Sequence, residues 1–324
     1  GEFAMEAAIC DPPDLVLLDV NMPGMTGWEV CRRFKTNERL RDIPVIFISG
    51  LQGAEEKLEA FNAGGVDYVS KPFQEQEVLA RVKTHLHLRE LQKELILHNA
   101  QLEQRIADQV KAVTASQWST IFALAKLAEI RDDDTGKHIL RVQTFSMLLA
   151  NQMREMGLAG KLLTNDYIEN LYQTAALHDI GKVGIPDVIL LKPGKLTAEE
   201  FAVMKTHSGI GAETLAEVLK QHPGNPFIRM GVEVARSHHE KWDGSGYPDG
   251  FRGTQIPLAA RIVALADFYD AVTSKRCYHN AMSHGDAVLL IRKRIGTHFD
   301  PDVGSAFLAI GDQFRRIRYE MMDR

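Results

Sequence analysis

The sequence predicts two structural classes in one chain: an α/β segment built on a parallel sheet, then a mainly helical domain, with a long helix between them. Three observations predict this. Short unbroken apolar runs alternate with amphipathic stretches over residues 13–73. Residues 74–113 form a polar, leucine-bearing segment with no glycine or proline. Residues 114–324 follow helical periodicity and hold nine of the twelve histidines. A chain of 324 residues suits two domains and a linker. The boundaries we draw are therefore 1–73, 74–113 and 114–324, with Gly1–Met5 (GEFAM) set aside as a cloning remnant.

In the first region, DLVLLDV (Asp14–Val20) and IPVIFIS (Ile43–Ser49) are continuous apolar runs, the pattern of parallel strands buried on both faces. Trp28–Lys35 between them has helical spacing, and a third short run, Val66–Ser70, ends at Lys71-Pro72. This β-α-β-α-β rhythm predicts an open parallel sheet. Each run ends at a polar residue: Asp19, Ser49 and Lys71. The strand ends of such a sheet lie side by side, where ligands bind. An Asp, a hydroxyl and a Lys there suit phosphoryl transfer, with Asp as nucleophile.

These residues, LLDVNMPGMTGWE around Asp19, ISG at Ser49 and DYVSKPF at Lys71, resemble the receiver domain of bacterial response regulators. The resemblance implies a flavodoxin-like sheet, an aromatic switch position at Tyr68, phosphorylation of Asp19 in the parent protein and a sensor histidine kinase as partner. It covers only the later part of a receiver. The family's upstream acidic pair, which holds Mg²⁺, is not among the eighteen residues before Asp19. For the chain as given we therefore expect a truncated receiver without working phosphorylation chemistry.

The middle segment carries Val78, Val82, Leu86, Leu91, Leu95, Leu102, Ile106, Val110 and Val113. Spacings of three and four place them on one face of a helix. A long helix with a narrow apolar stripe pairs with a copy of itself. With an open strand edge left in the receiver remnant, this predicts a homodimer through both.

The third region holds the chemistry. In order it reads His138 (DDDTGKH), His178-Asp179 (LHDIGK), His207 (KTHSGIG), His238-His239 (SHHEKWDGSGYPDG) and Asp267 (LADFYDA). A single histidine is more often a packed residue than a ligand; five imidazoles with two carboxylates offer donors for more than one metal. Imidazole with carboxylate suits Fe, Mn, Ni or Zn, and the absence of thiolate excludes a structural zinc finger. If LHDIGK is helical, Lys182 shares a face with His178 and Asp179. Asp179 has two oxygens and could bridge two ions, and Lys182 beside them would meet developing negative charge at phosphorus.

The set resembles the HD-GYP family of phosphodiesterases, a branch of the HD superfamily, from about residue 115 to 315. HD is His178-Asp179, and GYP is Gly246-Tyr247-Pro248. The resemblance implies an all-α domain that hydrolyses cyclic di-GMP to pGpG and onward to GMP with two divalent ions, Fe, Mn or Ni. One would be held by His178, Asp179, Asp267 and His138, and the other by Asp179, His207, His238 and His239. Catalytic roles fall to Asp179 and Lys182. Asp134 stands where some members have the Glu that binds a third metal; its shorter side chain argues for two. Arg276 matches the family's phosphate-binding Arg, while His279 stands where some members have Lys, a weaker anion partner. The resemblance also implies GGDEF-type proteins as partners. Two other readings stay open: a catalytically weak cyclic-dinucleotide sensor or interaction module, and a phosphodiesterase for another cyclic dinucleotide.

Composition narrows the classes further. The chain is 45% hydrophobic and 25% charged with a formal net charge of −5, so nothing in its bulk charge attracts nucleic acid or an anionic membrane. Cys10, Cys31 and Cys277 have no ligand or disulfide spacing, which fits a reducing cytoplasm. No apolar run reaches the length of a membrane span, and no signal peptide is visible.

Overall fold

The computed structural model describes residues 1–50, 53–131, 137–274 and 281–321. It divides into two compact units, Gly1–Ala112 and Val113–Arg324.

The first unit holds a parallel sheet of strands β1 (Val16–Asp19), β2 (Val45–Ser49) and β3 (Asp67–Ser70) in the order β1-β2-β3. Val45, Ile46 and Phe47 of β2 are fully buried, so the central strand is covered on both faces, as its unbroken apolar run requires. Helices α1 (Glu2–Cys10), α2 (Gly27–Thr36) and α3 (Ala54–Asn62) complete the unit. A capping box between Thr26 and Glu29 starts α2, which buries Val30, Cys31 and Phe34. Gly27 is required there, because a Cβ would lie 2.3 Å from the Asp19 carbonyl. Glu2–Met5, within the segment set aside as a cloning remnant, form the first turn of α1, and Met5 packs against the core of this unit. In β1, Leu17 is exposed and, among the described residues, pairing is to β2 alone.

Helix α4 (Glu75–Ile130) is one continuous element of 56 residues. It runs past residue 113, and in the second unit Trp118, Ile121, Phe122 and Ala125 pack with Ile139, Ala176 and Leu177. Leu91, Leu95, Leu102, Ile106, Val110 and Val113 of the apolar stripe are exposed.

The second unit is helical: α5 (His138–Glu155), α6 (Asn165–Thr174), two 3-10 helices (Ala175–Leu177 and Ile180–Gly184), α7 (Asp187–Leu190), α8 (Ala198–Met204), α9 (Thr206–Gln221), α10 (Pro226–Ser237), α11 (Leu258–Thr273), α12 (His284–Arg294) and α13 (Pro301–Glu320). Helix α11 is apolar nearly all round and is accordingly the central helix. Phe145 of α5, Tyr269 of α11 and Phe314 of α13 form its aromatic heart, with Phe145 and Phe314 stacked at 4.3 Å. Truncating such a buried ring to alanine costs about 3–5 kcal/mol. Among the described residues, no helix is long and apolar enough to cross a membrane.

Candidate metal centre

Most of the candidate ligands sit where a helix begins, ends or breaks, and Asp267 lies within α11. His138 opens α5, His207 lies in the first turn of α9, His238 is the C-cap of α10, and Asp267 projects from α11. His178 and Asp179 occupy the break between the two 3-10 helices. LHDIGK is helical here as two short 3-10 turns rather than one α-helix. In the tighter 3-10 turn, residues i and i+3 eclipse, which brings Lys182 Nζ to 2.8 Å from Asp179 Oδ2.

These side chains converge in two groups, His138–His178–Asp267 and Asp179–His207–His238–His239. Asp179 lies between them. Its Oδ2 is 3.3 Å from His178 Nε2, and its Oδ1 is 3.2 Å from His207 Nε2 and 3.6 Å from His238 Nε2. Asp267 Oδ1 is 3.5 Å from His138 Nε2 and 3.9 Å from His178 Nε2.

The far side of each imidazole decides its chemistry. His178 Nδ1 donates to the Ala175 carbonyl at 2.8 Å, His207 Nδ1 to Met204 at 2.7 Å, and His238 Nδ1 to Val234 at 3.0 Å. A carbonyl only accepts, so Nδ1 carries the proton and Nε2 turns a lone pair inward. The contact between His207 Nε2 and Asp179 Oδ1 is then lone pair against lone pair. Among the described residues, the buried atoms His178 Nε2 and Asp179 Oδ1 have no hydrogen-bond partner. Buried polar atoms are almost always satisfied. A cation between them satisfies both, and the nitrogen and oxygen donors fit a divalent transition metal.

The electrostatics agree. Burial opposes charge on His178, yet Asp179 and Asp267 outweigh it and raise the imidazole to about 9. The site attracts positive charge, a proton or a metal ion. Burial would push Asp179 up, but Lys182 and His178 hold it well below its ordinary value. Burial and the neighbouring imidazoles push His239 far down, leaving it neutral and ready to ligate.

An HD domain model matches residues 102–303, well over half the chain. The chain belongs to the HD-GYP branch of the HD-domain family. A response regulator receiver domain model matches residues 1–83 of the same HD-GYP protein. A Vibrio cholerae serotype O1 protein named a probable cyclic di-GMP phosphodiesterase is 42% identical over all of this chain and 74% of its own length. The cyclic di-GMP phosphodiesterase response regulator RpfG of Xanthomonas campestris pv. campestris is 38% identical over 94% of this chain and 77% of its own. A 3'3'-cGAMP-specific phosphodiesterase 2 of Vibrio cholerae is 38% identical over 63% of this chain, but over only 36% of its own length.

The GYP residues of this HD-GYP protein flank the second group. The Tyr247 ring lies 4.7 Å from that of His239. Gly246 is required, since a Cβ there would lie 2.4 Å from the Lys241 amide nitrogen. Pro248 is exposed. The Trp242 ring has the Arg261 guanidinium 5.8 Å above it. Asp134, Arg276 and His279 lie outside the described residues.

Sequence reasoning missed residues behind the ligands. Asp270 Oδ2 accepts from His138 Nδ1 at 2.7 Å, and Arg141 donates to the same carboxylate at 2.6 and 3.0 Å. All three are buried. The i+3 spacing of Asp270 from Asp267 was a legible signal. Buried Glu240, beside His239, accepts from the Asp249 and Gly250 amides at 2.7 and 3.0 Å and holds the GYP loop. Glu129 of α4 lines a cavity with His138, His178, Asp179 and Lys182.

In the receiver unit, Asp19, Ser49 and Lys71 stand at the ends of successive strands. Lys71 Nζ is 2.5 Å from Asp19 Oδ2 and is the main cause of a lowered Asp19 pKa; Ser49 is fully buried.

Proposed function

We propose that this HD-GYP protein hydrolyses cyclic di-GMP to pGpG or onward to GMP, using two divalent ions bridged by Asp179. The observation that carries it is the central carboxylate, with one oxygen toward each group of ligands and buried donor atoms that want a cation. His138, His178, Asp179 and Asp267 would hold one ion, and Asp179, His207, His238 and His239 the other. The donor set suits Fe, Mn or Ni, and a third ion at Asp134 is not expected. Bound there, the ions supply Lewis-acid neutralisation of the phosphodiester and lower the pKa of water.

The chain's own groups do the rest. Lys182, beside Asp179, meets negative charge developing at phosphorus. Asp270 fixes the tautomer and direction of His138. Arg276 would take a phosphate oxygen, His279 would be the weaker basic position, and Gly246, Tyr247 and Pro248 shape the wall on the His239 side. Asp19, with Ser49 and Lys71, is the phosphoacceptor of the intact receiver, addressed by a sensor histidine kinase. The exposed stripe of α4 supports pairing with a second copy in the cytoplasm. GGDEF-type proteins are further partners the family suggests.

The test is anaerobically purified protein, analysed for metal and incubated with cyclic di-GMP, with products resolved by chromatography. Two equivalents of metal and a pGpG or GMP product are expected. Asp179→Ala should stay folded and lose both ions together with activity. Full metal content in that variant would refute the bridge. The relative specific for 3'3'-cGAMP motivates running that dinucleotide in parallel.

A further inference from the structure

We propose that Phe201 and Lys205, with Tyr247, form a seat for one purine base of the substrate beside the second group of ligands. The inference rests on the cyclic-dinucleotide reading and extends it to residues of α8 and the turn after it.

Helix α8 is fixed at its start. Thr197 and Glu200 form a capping box, and Lys192 Nζ bonds both Glu200 oxygens at 2.8 and 2.6 Å. The next residue, Phe201, is 47% exposed, although a ring this large is usually turned inward. It joins none of the buried core clusters. Its neighbour is Tyr247, edge-on at 6.3 Å, and Tyr247 in turn lies 4.7 Å from His239 at 34°. Aromatic surface thus runs without a break from a ligand imidazole out to solvent.

Lys205 lies four residues after Phe201, one helical turn on. Its Nζ is 5.4 Å from the Phe201 centroid and 5.7 Å from that of Tyr247. Among the described residues its ammonium forms no ion pair, and it stands over two rings instead. An aromatic face with a cation at its rim is what a guanine recognises. The base stacks on the ring, and the ammonium bonds O6 or N7. With the scissile phosphate at the metal centre, the attached nucleoside needs a flat apolar surface a few ångströms away, and the Tyr247–Phe201 surface adjoins His239.

The test uses metal-loaded protein and two simple probes, guanosine 5'-monophosphate and ribose 5-phosphate, titrated by calorimetry. Both carry the phosphate, and only the first carries a base. Wild type should bind the nucleotide more tightly. Phe201→Ala should lose roughly 5- to 150-fold of that advantage, the range seen when a stacking ring is removed. Phe201→Trp should keep it, and Lys205→Ala should lose part of it, all with unchanged metal content. The KM for cyclic di-GMP should rise in parallel. Equal affinity of wild type for the two probes, or a Phe201→Ala variant that keeps the nucleotide's advantage, overturns the seat. A wild type that binds the nucleotide through Phe201 yet leaves cyclic di-GMP intact would instead overturn the substrate reading and leave the seat standing.

Discussion

Asp270→Asn is the most informative single change, because two separable quantities meet at that carboxylate. Asp270 is 1% exposed, and it binds both the His138 imidazole and the Arg141 guanidinium. Removing its charge leaves Arg141 buried without this partner. Breaking a buried pair from one side costs about 3–5 kcal/mol. The lower end applies, since Asn still accepts one bond and Arg141 keeps its contacts to Ser274 and the Met321 carbonyl. For a unit of this size, about 3 kcal/mol is a fall in Tm of roughly 6–12 °C. Separately, His138 loses the group that fixes its ring, and loss of such a partner typically costs about 10–100-fold in metal affinity. The double variant Asp270→Asn/Arg141→Met separates the two. With both charges gone, stability should return toward wild type, because replacing a whole buried pair by apolar groups is often neutral. Metal affinity should stay low. Thermal unfolding of chelator-treated protein reads the first quantity, and competition titration with a chromophoric chelator reads the second. If the double variant regains metal affinity along with stability, Asp270 serves packing alone and the orienting role is wrong.

Other expectations follow from separate parts of the molecule. Arg276→Ala should weaken cyclic di-GMP binding and leave metal content unchanged; loss of metal would place Arg276 among the ligands. Leu95→Glu, in the exposed stripe of α4, should convert a dimer into a monomer by light scattering at micromolar concentration, and a monomeric wild type would refute the pairing. In the first unit, burial pushes the Asp67 carboxyl up, but the Tyr68 amide, Arg81 and His85 outweigh it and hold it below the ordinary 3.8. A carboxyl depressed on folding stabilises above its unfolded pKa, and that contribution fades as pH falls from 3.8 toward the folded value. Acid titration followed by circular dichroism should therefore show less loss below about pH 4 in Asp67→Asn than in wild type; identical profiles would remove Asp67 from the acid response.

What could be read in advance was whatever repeats or clusters along the chain. VIFIS announced a strand covered on both faces, and the rhythm of apolar runs announced the parallel sheet, because burial on two faces permits no polar alternation. The histidines were legible by their company: the two groups of ligands are the residues quoted from DDDTGKH to LADFYDA. Residues whose meaning depends on a distant partner were not legible. Arg141 reads as an ordinary charged position on an amphipathic helix until α11 brings Asp270 against it across 129 residues of sequence. Phe201 reads as one more apolar residue of an EEF segment until the GYP loop sets Tyr247 beside it.

The HD motif shows the same limit at close range, and the reason is physical. Helical spacing put Lys182 on one face with both His178 and Asp179. An α-helix through LHDIGK would have run His178 and Asp179 into a continuous hydrogen-bond ladder, with their side chains diverging by about 100°. The chain instead changes to two short 3-10 turns with Asp179 at the junction, at φ −102° and ψ 10°. That break lets His178 face α5 and α11 while Asp179 reaches α9 and α10 with one oxygen and keeps the other beside His178. It depends on close packing. A Cβ at Gly181 would lie 1.9 Å from the His207 carbonyl, so no other residue lets the second turn sit this near α9. Gly181→Ala should therefore push the His178-Asp179 junction away from His207 and reduce metal content, although residue 181 touches no ligand atom of the centre. A Gly181→Ala protein with full metal occupancy would show that the junction tolerates displacement and that its placement is not what builds the site.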